Sequence, residues 1–396
     1  MPAVRVETLG AYMDPRVEKL VRVLIHYSLG LRRGQLVRIG GPALAAPHIT
    51  AAFTEALRVG AHPTVRVSVD GLEEAYYKGA TDEQLRFVSP LDTHETETLD
   101  AELRFLGAFN TRALTRVDPA RMAVRREATR DLTRRFLERA GRDELRWCLT
   151  QAPTQADAQE AEMSLGEYEE FVYTAGHLDD DDPVVTWKKV EQEQAEIISR
   201  LEKVKTLRIV GPDTDLTVSV AGRHWMNAAG KHNFPDGEVF TGPVEDATRG
   251  TVRFTFPAIY GGREVTDIRL TFKDGRVTDA TAGKGEAFLR AMLDIDAGAR
   301  RLGEFAFGLN YDIRQFTRNI LFDEKIGGTI HMALGAAYPE TGGTNVSGLH
   351  WDMILDLRVD GAEVYGDGEL IYQKGQFLSR RPLRTGSRDS SPRTLA

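Results

Sequence analysis

The hydrophobic pattern changes its period near residue 205, and that change limits the chain to two differently built halves. Before it, helical spacing alternates with short apolar runs. Asp14-Pro15 reads as a helix start, with Val17, Leu20, Val21, Leu24 and Ile25 following on one face. Strand-like runs at 36–39, 63–69, 101–107 and 145–150 alternate with helical stretches at 49–59 and 120–140, the pattern of βαβ units around a mostly parallel sheet. A helix over 186–204 closes this half. From 206 onward, strands such as 252–256 and 268–272 are separated by Gly-Pro-Asp, Lys-Asp-Gly and Val-Asp-Gly turns. The expected fold is an α/β N-terminal domain (1–204) with a mostly parallel sheet, then a β-rich α+β C-terminal domain (205–378). The segment 379–396, rich in Ser, Arg and Pro, reads as a disordered tail.

With 41% hydrophobic residues in 396, the chain can bury substantial cores. The net charge of -8, with acids and bases interspersed, argues against a nucleic-acid surface. Cys148 is the only cysteine, so the chain can build neither an internal disulfide nor a thiolate zinc cluster. Any metal must rest on nitrogen and oxygen. The first residues lack an apolar signal core, and no run of about 18 apolar residues occurs, so a cytoplasmic protein without a membrane partner is expected.

Chemistry concentrates in the segment 323–352. His331 and His350 sit among Gly, Thr and carboxylates rather than on an evident apolar face, and Asp352 follows His350 by two. In an extended segment, i and i+2 point the same way, so His350 and Asp352 can reach one ion while Trp351 packs behind them. Imidazole with carboxylate is the ligand chemistry of zinc, cobalt, manganese and iron. Taken alone, Glu238, in a Gly/Pro-rich loop, reads as a solvated acid, and Glu304 as a charge on a helix or strand edge. Gly40-Gly41 after the first strand completes no phosphate-loop pattern, and the acidic run 179–182 lacks calcium-loop spacing.

In chain order, Gly237-Glu238-Val239-Phe240-Thr241, Leu302-Gly303-Glu304, Phe322-Asp323-Glu324, His331-Met332-Ala333-Leu334-Gly335, Tyr338 and His350-Trp351-Asp352 resemble the thermophilic aminopeptidase family, that of aminopeptidase T. The resemblance implies a metallo-exopeptidase that removes N-terminal residues from peptides with a free N-terminus. It implies two divalent ions per chain (Zn, Co or Mn), held by Glu238, Glu304, Glu324, His331, His350 and Asp352. Tyr338 matches an active-site tyrosine, and a homodimer is implied. Glu304 is the expected bridge between the ions, a pairing that would activate a water for attack on the peptide carbonyl. Tyr338 could donate to the oxyanion or orient the substrate, or serve in packing; Glu304, Glu324 and Glu340 are each open as general base. Two other readings of the residues stand beside this one. His331, His350 and Asp352 also make the two-histidine, one-carboxylate set of mononuclear non-haem iron ring-cleaving dioxygenases. A non-catalytic binding protein with a structural metal is the other.

Overall fold

A computed structural model describes residues 14–378; the expected tail at 379–396 lies outside the described residues. Five parallel strands form the first sheet, in the order His62–Ser68, Leu36–Pro42, Ala101–Leu106, Arg146–Gln151, Asn233–Phe234. Helices form where the caps dictate. The Asp14 carboxylate accepts from the Arg16 backbone N–H at 2.8 Å, and Ser164 with Glu167 makes a capping box for Leu165–Ala175. The helix expected at 186–204 runs instead over Pro183–Leu201, because Pro183 is preset for a first turn and Asp182 accepts from the Val184 N–H at 3.0 Å. Three short helices, Leu72–Gly79, Asp82–Arg86 and Pro90–Thr98, bury little; Leu85 and Thr96 are their only buried residues. Gly41 lies near the end of the strand Leu36–Pro42, where a Cβ would stand 3.0 Å from the Phe105 carbonyl, so this glycine serves close strand packing.

The second half is antiparallel. Its eight-stranded sheet has Thr206–Gly211 and Thr214–Ser219 at the centre, and its five-stranded sheet runs His350–Asp356, Thr329–Gly335, Leu302–Gly308, Glu238–Thr241, Met226–Ala228. The two share one core, in which Leu207, Ile209 and Leu216 join Phe305, Phe307, Met332 and Met353. At the Lys-Asp-Gly turn, Asp274 and Gly275 both take positive φ (51° and 73°), as a tight hairpin requires. This is the α/β plus β-rich architecture the pattern implied. One feature crosses it: Asn233–Phe234 adds the fifth strand to the parallel sheet, and Phe234, Ile313, Leu321, Phe322 and Ile326 enter the first core beside Trp187. Among the described residues, no helix is long and apolar enough to cross a membrane.

The first core also buries an imidazole. His48, on the helix Ala46–Arg58, packs on Phe105 with ring centroids 5.7 Å apart and places Nε2 3.3 Å from the Tyr173 hydroxyl. Burial pushes its pKa down to about 4, against a small opposing pull from Asp14. The unfolded chain therefore binds this proton more readily. The His48 contribution is fully present above about pH 6.5 and is lost as the pH falls toward about 4, a change on the order of 3 kcal/mol. Urea unfolding of the wild type and His48→Asn at pH 7 and pH 4.5 checks this: the wild type should lose more stability on acidification than the variant.

Candidate metal centre

Strand register decides which side chains meet. In the five-stranded sheet, Glu304 lies opposite Ala333 and Ala333 opposite Asp352, while His331 lies opposite Ala306, His350 opposite Gly335 and Glu238 opposite Gly308. Directly paired residues share a face, and so do residues two apart. Glu238, Glu304, His331, His350 and Asp352 therefore project from one side, with Ala306, Gly308, Ala333 and Gly335 between them taking little room. The opposite face, including Phe305, Phe307, Met332, Met353 and Trp351, is buried in the second core. Trp351 packs there against Tyr260 and Phe288.

The approach to Glu238 is tightly built. Gly237 holds φ 123°, and a Cβ there would come within 2.9 Å of Asn310, so only glycine fits. The Glu238 backbone carbonyl accepts from the Gln194 amide at 3.0 Å, which fastens the strand to the helix Pro183–Leu201. The loop-acid and strand-edge readings give way here: Glu238 is 5% and Glu304 4% exposed.

Both imidazoles are oriented from behind. His331 Nδ1 lies 2.9 Å from the Glu324 carbonyl and His350 Nδ1 2.9 Å from the Ala336 carbonyl. A carbonyl only accepts, so each Nδ1 carries a hydrogen and each Nε2 faces the acids. Glu304 stands between them, with Oε2 3.2 Å from His350 Nε2 and Oε1 3.6 Å from His331 Nε2. Glu238 Oε2 is 3.5 Å from His331 Nε2, and Asp352 Oδ1 is 3.6 Å from His350 Nε2. Ligand atoms of Glu304, His331 and Asp352 all lie within 4.8 Å of one another. Glu324 borders the cluster: its carboxylate pairs with Lys325, its charge acts on Glu238, His331 and Asp352, and its carbonyl supports His331. Glu340 is exposed in the turn Pro339–Thr341. Tyr338, 38% exposed, stacks edge-on against His350 with ring centroids 5.1 Å apart and lies 5.4 Å from Phe240.

The electrostatics are those of a cation site. Burial disfavours charge on His331, but Glu304, Glu238 and Glu324 outweigh it and raise its pKa to about 10. His350 is raised to about 9 against the same desolvation, by Glu304 and Asp352. Burial would push Glu304 up, yet the two imidazoles hold it well below the ordinary carboxylate range. Burial raises Glu238 and Asp352, with Glu324 adding to both. Burial and the charges of Glu304 and Asp352 raise Tyr338, so its phenol keeps its proton at neutral pH. Glu238 Oε2 and Asp352 Oδ1 are buried without a hydrogen-bond partner. An ionised oxygen left that way costs several kcal/mol, and a divalent cation is the partner that would remove the cost. The donor set fits a metal.

One residue of this cluster carried no signal in the sequence. Lys325 is fully buried, with Nζ against Glu324, 3.6 Å from Glu238 Oε1 and 4.0 Å from Asp236 Oδ1.

Buried nitrogen and oxygen donors, oriented by backbone carbonyls on a sheet face beside an α/β layer, define a metal-binding protein. Comparison with known proteins supplies the family. A profile of the thermophilic metalloproteases (M29) matches residues 13–377, and the chain belongs to that family. Aminopeptidase 2 of Geobacillus stearothermophilus is 29% identical over 406 residues, spanning 92% of this chain and 98% of that protein. Aminopeptidase T of Thermus thermophilus is 30% identical over 237 residues, 53% of this chain and 58% of its own. The solved structure of wild-type AmpT from Thermus thermophilus matches with a TM-score of 0.82 at 27% identity, covering 92% of this chain and 99% of that one. Membership in a metalloprotease family implies a divalent metal and sets aside the dioxygenase and the non-catalytic binding protein.

Proposed function

We propose that this protein is a dinuclear metallo-aminopeptidase that removes N-terminal residues from short peptides. The observation that carries the reading is the placement of Glu304, whose two carboxylate oxygens each face a different imidazole Nε2. A carboxylate so placed suits a bridge between two ions. Glu238, Glu324 and His331 would complete one side, and His350 with Asp352 the other. The relatives named above are aminopeptidases, which supports the exopeptidase class. In this reading 205–378 is the catalytic domain, 1–204 is its α/β companion, and the chain works as a homodimer.

When bound, two divalent ions supply a water activated at neutral pH and polarise the scissile carbonyl. The protein's own residues do the rest. The Glu324 and Ala336 carbonyls fix the imidazoles in the tautomer that leaves Nε2 free. Tyr338, protonated and partly exposed beside His350, is placed to donate a hydrogen bond to the oxygen that gains charge in the transition state. Phe240 and the Tyr338 ring offer apolar surface to the first residue of the substrate.

The test is hydrolysis of leucine p-nitroanilide and a leucyl dipeptide by the purified protein, before and after chelation. Zn, Co or Mn is then restored and the bound metal counted. Release of leucine that returns with about two ions per chain supports the reading. Restored hydrolysis with one ion would keep the peptidase and remove the dinuclear centre.

A further inference from the structure

Lys325 stands where a lysine is least expected. It has no exposed surface, and its ammonium faces Glu324, Glu238 and Asp236 from the loop that follows the helix Ile320–Asp323. Asp236 is itself 1% exposed, with one oxygen held by the Gly230 N–H at 2.9 Å and the other without a partner. A lysine that served only to satisfy these acids would spread its three donors among them. Here only Glu324 is within hydrogen-bonding reach, and Glu238 Oε2 is left bare. The ammonium contributes charge more than hydrogen bonds.

That charge lies on one side of the centre. Around Glu304, the His350 and Asp352 side has no lysine or arginine among its ionic contacts within the described residues, whereas the Glu238 and Glu324 side has Lys325 within 4 Å. With both imidazoles neutral, as ligation of a metal requires, Asp236, Glu238, Glu304, Glu324 and Asp352 together carry five negative charges against one lysine, so two divalent ions would bring the centre to neutrality. The last ion to enter meets a field that the lysine has already reduced.

We propose that Lys325 is a resident third cation of the centre. It holds Glu238 and Glu324 in position when that side is empty and, by repulsion, makes the ion there the weaker-bound and last-loaded of the two. This rests on the two-ion reading above. It makes Lys325 a positioning residue that sets metal affinity, and the sign of its effect separates it from a structural lysine. A lysine that merely supported the ligands would loosen the ion when removed; a repelling one tightens it.

The experiment is a calorimetric titration of the full-length, chelator-treated protein with Mn or Zn at a fixed pH near 8. Wild type, Lys325→Gln, Lys325→Met and Lys325→Arg are compared. Expected for the wild type are two binding steps that differ by at least about tenfold. In the two neutral variants the weaker step should tighten by about tenfold or more while the stronger one moves little. Lys325→Arg should keep two unequal steps. Metal should also raise the thermal midpoint more in the neutral variants than in the wild type. Two equal steps in the wild type, or a weaker step that loosens or vanishes in the neutral variants, overturns the proposal while leaving the dinuclear centre standing. A wild type that takes only one ion would instead remove the dinuclear reading itself. Should neither neutral variant fold, the wild-type and arginine titrations still decide, since equal steps in either overturn it.

Discussion

Glu304→Gln is expected to lower kcat/KM for a leucyl peptide by at least about a thousandfold, roughly 4 kcal/mol of transition-state stabilisation, with the protein still folded. The substitution keeps the shape of the side chain and changes what its two ends offer. Today one carboxylate oxygen faces His350 at 3.2 Å and the other faces His331 at 3.6 Å, in a position 4% exposed. A carboxamide would keep one acceptor and turn the other into a donor, which cannot bind a cation. One of the two imidazoles would then face an N–H in place of an anion. A lower metal count is therefore expected along with the loss of activity. The fold should survive, because the strand Leu302–Gly308 is held by backbone pairing on both sides and by Phe305 and Phe307 in the core behind it. Steady-state kinetics with metal in excess, metal analysis and a thermal unfolding curve on one preparation check all three. Near-normal turnover in the variant would take the bridging role from Glu304.

How much of this was legible before the structure depended on whether the residues advertise their burial. The relation of His350 to Asp352 was readable because a period of two is a local property of an extended chain. Glu238 and Glu304 were not readable from their surroundings. Leu302–Gly308 is buried at every position, so the strand shows no alternation to mark a functional face, and only the neighbouring strands decide where Glu304 points. The resemblance to a family picked out both acids; the register shows how they come together. Lys325 was invisible for a related reason. Its burial is created by acids that converge from 236–238 and from 324, a meeting no local pattern encodes. Among the larger elements, the parallel strands and long helices followed from periodicity and caps. The two-residue strand Asn233–Phe234 is too short to carry a period, yet it stitches the second half of the chain onto the first sheet. The short helices of 72–98 run nine residues or fewer each, too few turns to sustain a readable period.

The two histidines should separate metal binding from stability. His350→Ala is expected to lower activity by at least about a hundredfold and to reduce the metal count, with a smaller loss of stability in the metal-free protein than His331→Ala causes. Its side chain is 28% exposed, so water can enter the space left behind and hydrate the Ala336 carbonyl that His350 Nδ1 now satisfies. His331→Ala should lose activity to at least the same degree and also destabilise the metal-free fold by about 2–4 kcal/mol. That ring is 1% exposed, and its removal leaves a cavity beneath the sheet face and strips the Glu324 carbonyl of its donor. It also takes a positive partner from Glu238 and Glu304, whose negative charges would then face each other across the gap. Against its burial, its acidic neighbours keep His331 protonated up to about pH 10, against about 6.5 in the unfolded chain, so its contribution is fully present below about pH 6.5 and falls as the pH rises toward 10; the destabilisation should be larger at pH 6 than at pH 8. Urea unfolding of both chelated variants at the two pH values, with metal analysis of the untreated proteins, reads out the difference. Equal destabilisation by the two substitutions would contradict the burial argument, and an unchanged metal count in either variant would remove that histidine from the ligand set.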